Sequence, residues 1–262
     1  MTTELLLRDR VAVVTGGASG IGRATALLLA RHGARVYAGD YDRIAANAPI
    51  FSEAGIVEME CDVRREDHVE TLINRAAATG GRLDILVNSA GVGLVKQITD
   101  VTEAEWDACL DTNLKGVFLA SKHAIRRMKQ GAGGSIVNIA SNAGLLPRAH
   151  DPVYSTSKGA LVAFTKSLAL CHARDRIRVN CVCPGPVEAT RMMDADLDKS
   201  PDRAAAVQNL LAASPLARAH ARMITPDEVA AAVLYLVSDA ALMVTGTAIA
   251  IDGGKSLGVP PR

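Results

Sequence analysis

The chain is predicted to adopt a doubly wound α/β fold, a parallel seven-stranded sheet with helices on both faces. Three observations lead there. Short β-branched runs alternate with longer helical patterns from one end to the other, the rhythm of βαβ units. Those runs are apolar at consecutive positions, as strands covered on both sides must be. A glycine-rich turn also leads straight from the first strand into its helix.

Taken in order, the strands are V-A-V-V-T at 11 to 15, R-V-Y-A-G-D at 35 to 40 and G-I-V-E-M-E-C-D at 55 to 62. They continue with D-I-L-V-N at 84 to 88, G-S-I-V-N-I-A at 134 to 140, R-I-R-V-N-C-V-C at 176 to 183 and T-A-I-A-I-D at 247 to 252. The first helix is expected near residues 20 to 32, and others fill the intervals. Residues 159 to 171 carry one charge, Lys166, and the middle of 106 to 124 is similar. Helices apolar around most of their circumference are buried on most sides, which points to a subunit interface and a homodimer or homotetramer.

At 262 residues, with no repeat, linker or low-complexity tract, the chain is expected to form a single domain over 1–262. Lysine plus arginine (29) balance aspartate plus glutamate (28), which argues against nucleic acid, a membrane surface or a polyanion and for a small-molecule partner. No window has the roughly 18 apolar residues of a membrane span, and the opening M-T-T-E-L-L-L-R-D-R does not read as a signal peptide, so a cytoplasmic location is expected. Of five cysteines, Cys61, Cys109 and Cys171 fall in segments that read as core, which implies buried thiols in a reducing compartment. Cys181 and Cys183 share one strand face with no histidine cluster nearby, so no metal is expected.

The turn T-G-G-A-S-G-I-G at 15 to 22 contains Gly16, Ser19, Gly20, Ile21 and Gly22. Its glycines permit a tight turn and close backbone approach, and the helix start offers free N–H groups to a pyrophosphate. Asp40 ends the second strand eighteen residues beyond Gly22, near the offset at which an acid bonds the ribose hydroxyls of NAD. Its charge would repel the 2′-phosphate of NADP. Arg43 lies nearby, but neither Gly17 nor Tyr41 is a cation, so NAD is favoured over NADP. Further along, Tyr154 and Lys158 stand one helical turn apart. A lysine cation beside a phenol is expected to lower the phenol's pKa and suit it to move a proton to or from an alcohol oxygen.

Together these pieces resemble the short-chain dehydrogenase/reductase family over essentially the whole chain. The likeness rests on the T-G-x-x-x-G-x-G turn, Asp62–Val63, N-S-A-G at 88 to 91, N-L-x-G from Asn113, Ser141, Y-x-x-x-K at 154 to 158, P-G at 184 to 185, V-T-G at 244 to 246 and D-G-G at 252 to 254. The resemblance implies a Rossmann-like domain and a catalytic tetrad of Asn113, Ser141, Tyr154 and Lys158. Tyr154 would move the proton, Ser141 would bond the carbonyl oxygen, Lys158 would hold the nicotinamide ribose, and Asn113 would position a relaying water. It also implies cofactor contacts from Asp62, Val63, Asn88, Ala90, Gly91, Pro184, Gly185 and Val187. Three departures stand out: Ser89 replaces an asparagine, and the segment 218 to 230 is longer than usual before T-P. The third is Ala189, which occupies the place of a usual threonine, with Thr190 following, so that either one residue is inserted or a cofactor contact is lost.

Residues 189–224 are expected to form a substrate lid. Met192, Met193, Leu197, Leu210 and Leu211 give it an apolar side, and Asp194, Asp196 and Asp198 a solvated one. Arg148, His150 and Arg191 are candidates to reach the pocket mouth and bind an anion. The expectation is an NAD-dependent dehydrogenase of a cyclic or aliphatic secondary alcohol. The alternatives are an NADP-dependent 3-oxoacyl thioester reductase and a non-catalytic nucleotide sensor.

Overall fold

Seven parallel strands form one sheet in the order β3-β2-β1-β4-β5-β6-β7 in the computed structural model, which describes residues 5–42, 47–146 and 148–258. The strands are β1 (Val11–Thr15), β2 (Arg35–Asp40), β3 (Val57–Glu60), β4 (Ile85–Asn88), β5 (Gly134–Ile139), β6 (Ile177–Pro184) and β7 (Ala248–Ile251). Around them lie α1 (Gly20–Arg31), α2 (Ala48–Glu53), α3 (Glu66–Gly80), α4 (Glu103–Leu110), α5 (Gly116–Met128) and α6 (Pro152–His172). The short helices α7 (Arg191–Leu197), α8 (Arg203–Ala212) and α9 (Pro215–His220) precede α10 (Pro226–Val237).

Strand alternation sorts the apolar residues between two layers. Ala12 and Val14 of β1 pack with Ala26 and Leu29 of α1 and with Val229, Val233 and Leu236 of α10. Val11 and Val13 face the other way, against Val69, Leu72 and Ile73 of α3 and Leu119, Ala124 and Met128 of α5. Every apolar position of β1 is therefore buried, which is why these strands read as continuous apolar runs. The strand order reverses between β1 and β4, so loops from the two halves diverge there and leave a crevice beyond the carboxyl ends of the strands.

Two details differ from the sequence reading. The continuous helix expected over 106 to 124 is broken by a π-helical turn, Asp111–Lys115, between α4 and α5. A wider turn of this kind re-aims the residues it contains, and Asn113 is one of them. Cys171 is exposed at the outer end of α6, whereas Cys61, Cys109, Cys181 and Cys183 are buried. One side of α6 is uncovered, with Leu170 84% exposed. Leu110, Leu114, Phe118, Ala160, Ala163 and Phe164 line an apolar groove between α4–α5 and α6. Among the described residues, no helix is long and apolar enough to cross a membrane, and no group of three or more His, Cys, Asp or Glu is placed to hold a metal ion.

Candidate active site

A cleft of about 820 Å³ opens over the carboxyl ends of the strands. Its first wall is backbone. Gly16 (φ +65°) and Gly20 (φ +49°) adopt left-handed conformations that bend the chain from β1 into α1. A Cβ at Gly22 would stand 2.0 Å from the Gly16 carbonyl oxygen, and one at Gly16 would stand 2.7 Å from the Ala90 backbone. The cradle thus exists only without side chains at these positions. Thr15 steadies it by accepting the backbone N–H of Ser89 at 3.2 Å. Ser19 and Ile21 complete the wall.

Asp40 lines the same end of the cleft. Its carboxylate accepts the Ala18 N–H at 2.9 Å, so it is fixed against the glycine turn. The buried Asn47, unnoticed in the sequence, donates to the Ala18 carbonyl at 2.6 Å and accepts from Arg23 at 2.8 Å. Arg43 lies outside the described residues. Asp62 and Val63 also line the cleft, and the two-point contact with Arg64 holds the Asp62 carboxyl below its usual range.

The structure brings most of the expected site residues to this cleft: Gly16, Ser19, Gly20, Ile21, Gly22, Asp40, Asp62, Val63, Ala90, Gly91, Ser141, Tyr154, Lys158, Pro184, Gly185, Val187 and Thr190. Asn88 and Asn113 are not part of its wall. The Asn88 amide donates to Asn138 at 2.8 Å, and Asn138 in turn donates to Thr165, so Asn88 ties β4 to β5 and α6. Asn113 is fully buried and grips Val92 twice, accepting its N–H at 2.8 Å and donating to its carbonyl at 2.9 Å. It also donates to Ser157 at 3.1 Å. Its place is behind the wall, holding the chain after Gly91 against the π turn.

Thr190 caps α7, accepting the Met193 N–H at 3.2 Å, and its methyl lies 3.1 Å from where a Gly20 Cβ would be. Ala189 before it is left-handed (φ +52°), a conformation that L-residues other than glycine seldom adopt.

Tyr154 is 8% exposed, on the first turn of α6. Ser141 reaches the cleft from the end of β5, where its hydroxyl accepts the Ala143 N–H at 3.1 Å. Lys158 donates to the Ile139 carbonyl at 3.0 Å, and its Nζ stands 5.8 Å from the centre of the Tyr154 ring. Burial decides both proton affinities. It pushes the phenol up to about 12, against the pull of the Ser141 hydroxyl and the Arg148 charge, and the Lys158 ammonium down to about 8. The expectation that Lys158 lowers the phenol's pKa is therefore corrected. The ammonium is engaged with a carbonyl, and loss of water around the phenol outweighs every favourable charge.

At the far end, Arg148, Asp151, Met192, Met193, Leu197, Leu210 and Lys255 line the cleft. Arg191 also lines it but pairs with Asp42 at 3.0 Å, while His150 is exposed outside the wall. The expected solvated face is ion-paired: Asp194 and Asp198 contact Arg203, and Asp196 meets Lys199 at 3.2 Å. Asp151 and Lys255 were missed in the sequence because neither stands in a recognisable motif with Tyr154.

With that geometry in place, the comparisons are consistent with one another. A family model described as enoyl-(acyl carrier protein) reductase matches residues 16–256. Cis-4-hydroxycyclohexanecarboxylate dehydrogenase of Sinomonas cyclohexanicum is 39% identical over 250 residues, 94% of this chain and 96% of that protein. Cyclopentanol dehydrogenase of Comamonas testosteroni is 39% identical over 252 residues, 95% of this chain and 97% of that protein. The ligand-free structure of Thermoplasma acidophilum aldohexose dehydrogenase superposes with a TM-score of 0.88 at 33% identity, covering 98% of this chain and 97% of that one. The chain belongs to the short-chain dehydrogenase/reductase family and is an NAD(P)-dependent oxidoreductase acting on CH–OH groups.

Proposed function

We propose that this member of the family uses NAD to oxidise a cyclic or aliphatic secondary alcohol to its ketone, with Tyr154 moving the proton. The observation that carries the reading is the placement of Tyr154, buried beside Ser141 and Lys158, in the same cleft as the side-chain-free glycine cradle. That cradle fits a dinucleotide, because the glycine turn leads without side chains into the start of α1, whose free N–H groups suit a diphosphate. Bound there, NAD supplies the hydride acceptor. Asp40, fixed by the Ala18 N–H, favours ribose hydroxyls and repels a 2′-phosphate.

The chain's own residues then divide the work. The Ser141 hydroxyl donates to the alcohol or ketone oxygen as charge changes there. Tyr154, once its phenolic proton has passed to solvent water, takes the alcohol proton on its phenol oxygen as the hydride leaves the carbinol carbon, and gives it back in the reverse direction. Lys158 orients the ribose and contributes positive charge. Asn113 works through the Val92 backbone and so positions the wall. Residues 189–224 act as a lid within a single domain, presenting Met192, Met193 and Leu210 to an apolar substrate. The reading includes a homodimer or homotetramer using the apolar groove along α4–α5 and α6, and a cytoplasmic setting in which the four buried thiols stay reduced.

The test is a panel of secondary alcohols followed by reduced-cofactor absorbance with NAD and with NADP, for the wild type and Asp40→Ala. We expect wild-type kcat/KM to favour NAD, and the preference to fall at least ~10-fold in the variant as the repulsive charge is removed. Preference for NADP in the wild type would instead support a 3-oxoacyl thioester reductase.

A further inference from the structure

We propose that Lys255 and Arg148 form an anion subsite at the substrate end of the cleft, so that the favoured alcohol carries a carboxylate remote from its carbinol carbon. This rests on the reading of the cleft as an alcohol dehydrogenase site. Both cations line the cleft, and the Arg148 charge acts on Lys255. Arg148 and Asp151 also act on Tyr154, which puts the group at the reacting end.

Lys255 has a prepared mount. It follows β7 in a tight turn where the Asp252 carboxylate accepts the N–H groups of Gly254 at 2.9 Å and Ser256 at 2.7 Å. The Ser214 hydroxyl fastens the same turn by donating to the Asp252 carbonyl at 2.8 Å. Arg148 is held at one edge by Asp151, whose Oδ2 stands 3.1 Å from its Nη2. Asp151 is 1% exposed, and its other oxygen accepts the Ser155 hydroxyl at 2.8 Å. Among the described residues Arg148 forms no second ion pair, and its side chain is 37% exposed, which suits it to meet a planar acceptor.

Charge balance gives the sign of the ligand. Three other ion pairs along the wall are closed: Arg64 with Asp62, Arg191 with Asp42, and Asp196 with Lys199. Among the described residues Lys255 takes part in no ion pair: of the two carboxylates that act on it, Asp252 has both oxygens taken by the Gly254 and Ser256 N–H groups, and Asp151 also answers Arg148. Burial and the Arg148 charge hold the Lys255 ammonium below its ordinary pKa, the condition an incoming anion relieves. The apolar side chains of Met192, Met193 and Leu210 complete the same wall and suit a hydrocarbon ring between the two polar ends.

The probes are cyclohexanecarboxylate and neutral cyclohexanol, titrated by calorimetry into the protein saturated with NADH, in which neither can react, for the wild type, Lys255→Met and Lys255→Arg. The carboxylate is expected to bind the wild type at least ~10-fold more tightly than cyclohexanol, and to lose at least ~10-fold in Lys255→Met, the scale of one charge-assisted contact. Lys255→Arg should restore most of that loss. Equal affinity for acid and alcohol, or an undiminished affinity in Lys255→Met, overturns the subsite. Oxidation of 4-hydroxycyclohexanecarboxylate and cyclohexanol separates this from the underlying reading. Turnover of both with no preference for the acid sinks the subsite alone. Lys255-dependent binding without oxidation of any secondary alcohol sinks the dehydrogenase reading and leaves the subsite standing.

Discussion

The two ends of the cleft are built from different materials. At the nucleotide end the wall is backbone, and Gly16 and Gly22 have no room for a methyl group. At the chemical end the wall is side chains, Ser141, Tyr154, Lys158, Arg148 and Lys255, delivered by three separate stretches of chain. In the proposed function the first end would hold the diphosphate by shape and amide dipoles, which are insensitive to pH. The second works through groups whose proton affinities are set by burial, so its behaviour depends on pH and on single functional groups.

That contrast can be broken most severely at Gly22. Gly22→Ala forces a methyl to 2.0 Å from a carbonyl oxygen, and we expect loss of cofactor binding and of all turnover, with stability lowered by about 3 kcal/mol. Cofactor titration and urea unfolding check both; a variant that binds NAD normally would mean the cradle is not the diphosphate site.

A smaller effect sharpens the chemical end. Burial raises the Tyr154 phenol to about 12, so its base form is scarce at neutral pH and grows as pH rises. Alcohol oxidation should accelerate by up to ~10-fold per pH unit above pH 7, while cofactor affinity stays nearly flat until Lys158 loses its proton near pH 8. A pH-independent oxidation rate limited by chemistry would remove the phenol from the proton path.

The smallest effect is on stability. Lys158 is lowered from 10.5 to about 8 in the folded protein, so between those values the unfolded chain holds a proton that the folded chain has released. Stability contributed by this residue therefore rises with pH through that window. Relative to Lys158→Met, the wild type should gain about 2 kcal/mol between pH 8 and 10, read from urea midpoints. Parallel pH profiles would show that the ammonium is not desolvated.

The same contrast explains what was legible in the sequence. Glycine spacing reports a backbone constraint directly, so the turn at 15 to 22 and its neighbour Asp40 could be placed before any coordinates. The sheet was legible too, because strands buried on both faces leave continuous apolar runs. Side-chain direction was not. Asn88 and Asn113 stand at motif positions, yet one turns to Asn138 and the other to Val92, choices made by the pleat of β4 and by a π turn with no clear local signature. Arg191 looked free until the fold set Asp42 beside it, 149 residues away in sequence. Asp151 and Lys255 become neighbours only when the loop after β7 folds back, and the phenol's proton affinity depends on burial that spacing alone does not report.

The most direct test of the central claim, that Tyr154 moves the proton in a cleft whose nucleotide end is independently built, is Tyr154→Phe measured on both ends at once. We expect alcohol oxidation to fall at least ~100-fold while the NAD dissociation constant changes less than ~3-fold. Turnover near the wild-type rate, with NAD still bound, would contradict it.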